Sequence, residues 1–337
     1  SLNVSFAFFI ILFVMHINNK NLSKKILSWY DNNKRTLPWR ISHKSKKKQY
    51  YRILSEFMLQ QTQVKTVIPY FIKFVSKIPN LEVLSTSNEK KILKLWEGLG
   101  YYRRAKNLHK TSKILIKKYN GKIPKSFEKL KELPGIGDYT ANVLLALIYN
   151  QPRVALDGNV KRVLSRLDNI NTEETVNLFR TKRNGDFAEA LMEFGALICK
   201  PKDPRCHECK IKKMCAYYAS ESKIRFGRKI KIQSKSYDIF CYLKKNKKQI
   251  ALTKNNDLGF LKKFNLPKIK ETSKKNKNWK FLCNYKNSIS NKKLNINLYY
   301  KFSSKIPSEY NWYSLNKNNE FIPSFTKKIF KQISHLY

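Results

Sequence analysis

Four cysteines fall within residues 199–215, Cys199, Cys206, Cys209 and Cys215, with the spacing C-x6-C-x2-C-x5-C. Four thiolates so close in sequence can close a tetrahedral zinc site or hold an iron–sulfur cluster, and spacing alone does not separate the two. His207 lies inside this loop as a spare ligand, while Cys241 and Cys283 stand alone. The distribution is that of an intracellular metal site, not of a secreted disulfide framework. A second pattern is "ELPGIGDYTAN" (132–142). Gly135 and Gly137 let the backbone turn tightly and approach a ligand, and N–H groups at the start of the helix that follows suit a phosphate oxygen. Asp138, or the turn before it, is expected to cap that helix. An ordinary helix–turn–helix corner is the plain alternative, and it leaves Tyr139 unexplained.

Two acids complete the chemical inventory. The stretch "YYRILSEFMLQQT" places Tyr50, Ile53, Leu54, Phe57 and Met58 on one helical face and Glu56 on the other, where a glutamate is by default a solvated carboxylate. Asp157 in "LDGNVKRVL" reads as the N-cap of the next helix. Spacing cannot connect them, since they are 101 positions apart (157 − 56).

The elements that must position these residues are mostly helical up to about Cys215. Apolar residues recur every three to four positions in "LSKKILSWY", "NEKKILKLW", "YRRAKNLHKTSKILIKKY", "DYTANVLLALIY", "GNVKRVLSRL" and "FAEALMEFGALIC". The run 50–75 predicts two helices broken near Gln60 and Gln61, the second continuing through Pro69. After Cys215 a polar, basic linker leads to strand-like segments, "YDIFCYL", "KQIALTK", "WKFLCNY" and "KLNINLYYKF", and a closing helix "PSFTKKIFKQI". The expected organisation is a helical domain over 15–215, a linker over 216–231 and an α+β domain over 232–337. Residues 1–14 are apolar but too short for a membrane span and lack the marks of a signal peptide, so Met15 is the expected start.

Among the 337 residues, 69 Lys and Arg oppose 23 Asp and Glu, a formal charge of +46. Such a field attracts polyanions. The crowding of Lys, Asn, Ile, Phe and Tyr also follows from A/T-rich codons, which weakens the charge as an argument for nucleic acid.

The motifs "LPWR" (37–40), "LSEFMLQQTQVKTVIPYF" (54–71), "LWEGLGYYRRAKNLHK" (95–110), "LPGIGDYTA" (133–141), "LDGNVKRVL" (156–164) and "MEFGALICKPKDPRCHECKIKKMC" (192–215) occur in the order of the helix-hairpin-helix DNA glycosylases. Within that superfamily the chain resembles the MutY-type adenine DNA glycosylases, densely over 22–215 and in outline beyond. The resemblance implies a mainly α glycosylase domain of two subdomains with a [4Fe–4S] loop, followed by a smaller α+β Nudix-like domain. It implies base excision repair in the bacterial cytoplasm, acting as a monomer on duplex DNA that holds adenine opposite 8-oxoguanine or guanine.

Position by position, the resemblance makes Cys199, Cys206, Cys209 and Cys215 the ligands of a [4Fe–4S] cluster. Glu56 becomes the acid that protonates adenine, Asp157 the carboxylate that stabilises the sugar cation, and Asn159 a residue that positions water. Trp39, Arg40 and Leu59 match the lining of the adenine pocket. Gln61, Thr62, Leu99 and Tyr101 match residues at the base stack, and Gly135 and Gly137 the backbone grip. Tyr139 stands where endonuclease III-type relatives carry the lysine that forms a Schiff base, and a phenol cannot form an imine. Base removal without a dedicated strand-cleaving step is therefore expected.

The second domain departs from the family. The usual Phe-Ser-His is reduced to Ser290, expected on DNA, with Ile289 and Asn291 beside it, and "GFLKKFNLP" lacks a usual tryptophan and glycines. Past residue 220 the acids Glu221, Asp238, Asp257, Glu271, Glu309 and Glu320 are too scattered for the Mg²⁺ cluster of a pyrophosphatase. Two other readings stand beside this one: a thymine or uracil mismatch glycosylase, and a non-catalytic DNA-binding relative.

Overall fold

The computed structural model describes residues 21–42, 45, 47–168, 181–220, 233–254, 264–271, 278–289, 292–315 and 322–337. The apolar start, Met15, most of the linker and Ser290 lie outside the described residues. The chain divides into two compact units, Ser1–Ile92 with Tyr101–Gly227, and Leu93–Gly100 with Arg228–Tyr337.

The first unit is helical. A helix over 21–33 (α1) is followed by α2 (Lys48–Leu59), α3 (Val64–Lys77), α4 (Leu81–Thr86) and α5 (Glu89–Leu95). Then come α6 (Arg103–Tyr119), α7 (Phe127–Lys131), α8 (Asp138–Tyr149), α9 (Gly158–Asp168), α10 (Asn184–Leu197) and α11 (Ala216–Ala219). The break between α2 and α3 falls where expected, and α3 runs through Pro69. The turn between them is held by Gln61 at φ 54°, a left-handed conformation costly for a residue with a Cβ. The short α4 and α7 carry too few apolar repeats to show in the periodicity; Asn80 and Ser126 announce them by capping Val83 and Lys129.

One core joins α1 to the C-terminal part of the unit: Ile26, Trp29 and Tyr30 pack with Val160, Val163 and Leu164 of α9 and with Phe187, Leu191 and Phe194 of α10. The middle of α2 is buried as well, with Ile53, Leu54, Phe57 and Met58 inaccessible. Asn150 ends α8 in the left-handed conformation. Its side chain accepts from Gly185 N–H and donates to Lys182 O, tying that end to the start of α10.

The second unit contains a six-stranded sheet: β1 (Gln233–Lys244), β2 (Gln249–Leu252), β3 (Lys268–Glu271), β4 (Lys280–Ile289), β5 (Lys292–Phe302) and β6 (Asn311–Ser314). The order is β4-β5-β1-β2-β6, with β3 also paired to β1. Strand β1 runs parallel to β5, and the other pairs are antiparallel. Alternate residues Ile239, Cys241 and Leu243 of β1 and Leu294, Ile296 and Leu298 of β5 share a core with Phe325, Ile329 and Ile333 of the closing helix α12 (Ser324–Ile333). The four strands and the closing helix read from the sequence are present. β3 and β6, four residues each, are too short to show a period of two. No helix among the described residues is long and apolar enough to cross a membrane.

Candidate active site and metal loop

Glu56 is buried, 8% exposed, and is not the solvated carboxylate that helical periodicity predicts. The helix is covered on nearly every side, so a two-faced reading fails there: Arg52, Ser55 and Glu56 are buried along with the apolar residues. Burial, first, pushes its carboxyl up to about 8; Glu189 and Asp157 push the same way, and Arg52 pulls it down. An acid in this state carries a proton at neutral pH.

The fold brings together what the sequence left far apart. Glu56 from α2, Tyr139 from the first turn of α8 and Asp157 just before α9 all act on one another electrostatically. Burial, then the charges of Glu56 and Asp157, hold the Tyr139 phenol protonated, well above its ordinary range. Its hydroxyl points to Met192 Sδ at 3.9 Å. Asp157 does cap α9, accepting from Val160 N–H at 2.7 Å, and its other oxygen accepts from Asn159 Nδ2 at 3.0 Å. Asn159 Oδ1 in turn accepts from Arg162 Nη2 at 2.8 Å, and Arg162 Nε donates to Cys199 O at 2.8 Å. One chain of bonds therefore runs from the candidate catalytic carboxylate to the cysteine loop.

The structure adds an acid–base cluster behind Glu56. Glu189 of α10 accepts from Arg52 Nη1 at 2.6 Å and Nη2 at 3.3 Å, from Arg40 Nε at 3.1 Å and from Tyr30 Oη at 2.9 Å. Glu193, one turn on, accepts from Arg35 and Arg40. Burial raises the Glu189 carboxyl, but the charges of Arg52 and Arg40 and the bonds from Arg52 and Tyr30 outweigh it, and the carboxyl ends below its ordinary value. Arg52, Glu189 and Glu193 escaped sequence reasoning. Their signal is a charge inside an apolar run: Arg52 in "YYRILSEFML", Glu189 and Glu193 in "FAEALMEFGALIC". Arg40 sits in this network, Trp39 is buried edge-on to Phe71, and Leu59 is half-buried at the end of α2.

The hairpin between α7 and α8 carries both glycines for different reasons. Gly135 has φ +85°, and a Cβ there would meet Phe57 Cε1 at 2.8 Å and Asn107 Cβ at 2.9 Å. Gly137 is exposed with open space around it, and it is the N-cap of α8 without a side-chain cap. Asp138 does not cap: it lies inside the first turn and pairs with Lys131 at 2.5 Å. Gln60 Nε2 donates to Gly135 O at 3.2 Å, joining the hairpin to the α2–α3 turn. Arg104 donates to the carbonyls of Phe57, Met58 and Gln60 and to Thr62 Oγ1, and lies 5.1 Å from the Tyr101 ring centre. Gln61 and Tyr101 both adopt positive φ and are exposed, whereas Leu99 is buried.

The four cysteines line one small cavity with Val163, Leu167, Phe194 and Ile211. Arg166 Nη1 lies 3.3 Å from Cys199 Sγ, and Cys215 Sγ lies 3.2 Å from Arg166 O. His207 is exposed and pairs with Glu208 at 3.0 Å. Lys202, Arg205, Lys210 and Lys213 around the loop are exposed.

The model of the HhH-GPD superfamily base excision DNA repair proteins matches residues 54–185. The adenine DNA glycosylase of Buchnera aphidicola subsp. Baizongia pistaciae is 38% identical over 324 residues, spanning 86% of this chain and 90% of that protein. The chain belongs to the adenine DNA glycosylase family. The human adenine DNA glycosylase is 36% identical over 207 residues, 56% of this chain and 38% of that one. Among solved structures, a thermostable thymine-DNA glycosylase superposes with a TM-score of 0.54 at 26% identity, covering 60% of this chain and 96% of that chain. An endonuclease III trapped covalently on DNA superposes with a TM-score of 0.50 at 20% identity over 60% of this chain and 96–97% of solved endonuclease III chains, a likeness of fold. The chain is thus a DNA glycosylase of base excision repair with an endonuclease III-like helical unit, and DNA is its partner. Membership of this family implies a metal cofactor, for which the four thiols are the candidate ligands.

Proposed function

We propose that the enzyme hydrolyses the N-glycosidic bond of adenine mispaired with 8-oxoguanine or guanine and leaves the strand intact. The observation that carries this reading is Glu56, buried and protonated at neutral pH, in electrostatic contact with Asp157 and the protonated Tyr139. A flipped adenine receives the Glu56 proton at N7, and the C1′–N bond breaks with its electrons on the base. The Asp157 side chain stabilises the positive sugar, held in place by Val160 N–H and Asn159. Water positioned by Asn159 adds to C1′, and its proton restores the Glu56 carboxyl. Tyr139 offers no amine, so no Schiff base forms.

Trp39, Arg40 and Leu59 line the base pocket in this reading. Gln61, Thr62, Leu99 and Tyr101 serve the opened base stack, the 135–137 turn a phosphate, and Ser290 the oxidised base. Cys199, Cys206, Cys209 and Cys215 would hold a [4Fe–4S] cluster, which ties the basic loop and takes no part in the bond cleavage. The donor set fits such a group: four thiols line one apolar-walled cavity. The catalytic domain is placed at 15–215 and the discrimination domain at 232–337.

The likeness to a thymine-DNA glycosylase favours a second reading, a thymine or uracil mismatch enzyme. It leaves 40% of this chain without a counterpart (100 − 60). The test is incubation with duplexes holding A opposite 8-oxoguanine, A opposite G, T opposite G and U opposite G, with and without alkali. Adenine release with strand scission only after alkali supports the proposal. Release of T or U alone, or scission before alkali, overturns it.

A further inference from the structure

Arg52 and Glu56 are one helical turn apart on α2, both buried, a spacing at which a guanidinium and a carboxylate ordinarily pair. They do not pair. Among the described residues the ion-pair partner of Arg52 is Glu189, met by both terminal nitrogens in a two-pronged contact. Two further donors, Arg40 and Tyr30, fix the Glu189 carboxylate from the other side, so it cannot swing away from Arg52 without losing them. A guanidinium of undivided charge beside Glu56 would favour its ionised form and spoil it as an acid.

We propose that Glu189 is a positioning residue that holds the Arg52 guanidinium on itself, and that this pairing keeps Glu56 available as a proton donor. The inference rests on the reading of Glu56 as the acid. The charged and titratable groups around Glu56 come from four elements: Arg52 on α2, Glu189 on α10, Asp157 ahead of α9 and Tyr139 on α8. Lys48, on α2, is directed to Ile148 O, and Arg104, on α6, to the carbonyls that end α2. Among the described residues Arg52 is thus the one cation acting on Glu56, and it pulls the carboxyl down while Glu189 pushes it up. The two opposed influences make the pair a setting for the proton on Glu56.

The experiment is the pH dependence of single-turnover base release from the holoenzyme, over pH 6–10, for paired variants. Glu189→Gln keeps an acceptor for Arg52 but removes the charge that neutralises it. Its alkaline limb should move to lower pH by about one unit, roughly a tenfold loss of rate on the alkaline side. Arg52→Met fills the aliphatic volume, and Glu189 keeps Arg40 and Tyr30. Its limb should move to higher pH, and the double variant should return close to the wild-type limb. Packing damage lowers the rate at every pH without moving the limb, or moves it the same way in both. Limbs that stay fixed, or shift together, overturn the inference. If Glu189→Gln does not fold by circular dichroism, the upward shift in Arg52→Met decides alone. Retained turnover in Glu56→Gln would instead remove the acid reading itself, so the two failures are separable.

Discussion

A Cβ placed on Gly195 would stand 2.7 Å from the Cβ of Asn159 and 2.9 Å from its carbonyl oxygen. This glycine in α10 is what lets the start of α9 lie so close, and Asn159 is the residue that braces Asp157. Gly195 O also accepts from Arg162 Nη2, the arginine that bonds Asn159 and Cys199 O. Gly195→Ala should therefore push Asn159 and Asp157 out of register. A displacement near 1 Å costs about a hundredfold in rate. Single-turnover excision by Gly195→Ala should fall on that order while duplex affinity changes little. An unaffected rate would mean that α9 relaxes around the new methyl.

The state of Glu56 sets a pH window. Its carboxyl in the fold is pushed up to about 8, above the ordinary value of 4.5. In the proposed mechanism the protonated form is the active one, so excision should fall as pH rises through about 8. The same shift acts on stability. A raised carboxyl contributes stability that is fully present below its unfolded value and is lost as pH rises through the folded one. Glu56→Gln should then be more stable than the wild type at pH 7, by about 1–3 kcal/mol, with the difference vanishing below pH 4. Urea denaturation at pH 4 and pH 7 tests it; equal differences at both would contradict a buried neutral acid.

In the proposed mechanism Tyr139 replaces an imine-forming amine. Tyr139→Lys places an amine beside Glu56 and Asp157, and borohydride should then trap a covalent protein–DNA adduct that the wild type does not give. An adduct of equal yield from the wild type would show that another amine reaches the sugar.

Arg104 braces the α2–α3 turn through three carbonyls and Thr62, and Tyr101 through its ring. Arg104→Ala leaves those buried carbonyls without this donor and should cost about 2–4 kcal/mol of stability. Duplex affinity should fall with it, because Gln61 and Tyr101 lose their support. Calorimetry and fluorescence anisotropy read the two effects separately, and an unchanged melting temperature would contradict the brace.

Much of the fold was legible because its long helices and strands carry a clean period. The break at Gln60 and Gln61, the exact span of α8 and the strands β1, β2, β4 and β5 follow from apolar spacing and turn residues. The four thiols were legible because metal ligands cluster in sequence. The environment of Glu56 was not. Periodicity assigns one face of α2 to solvent, but α3, α6 and α8 pack against the helix and Glu189 of α10 reaches Arg52, so its burial depends on contacts between distant segments. The Arg52–Glu189 pair is likewise 137 positions apart, so only the folded chain reveals that each charge has its partner.

The central claim is that Glu56 gives the proton that frees the base. The direct measurement is single-turnover release of free adenine from a duplex holding A opposite 8-oxoguanine, comparing the wild type with Glu56→Gln at pH 7. The glutamine keeps the shape and offers no proton, so release should fall by about a hundredfold to ten-thousandfold while the duplex dissociation constant stays within a few fold. Adenine released by Glu56→Gln at a rate near that of the wild type would contradict the account.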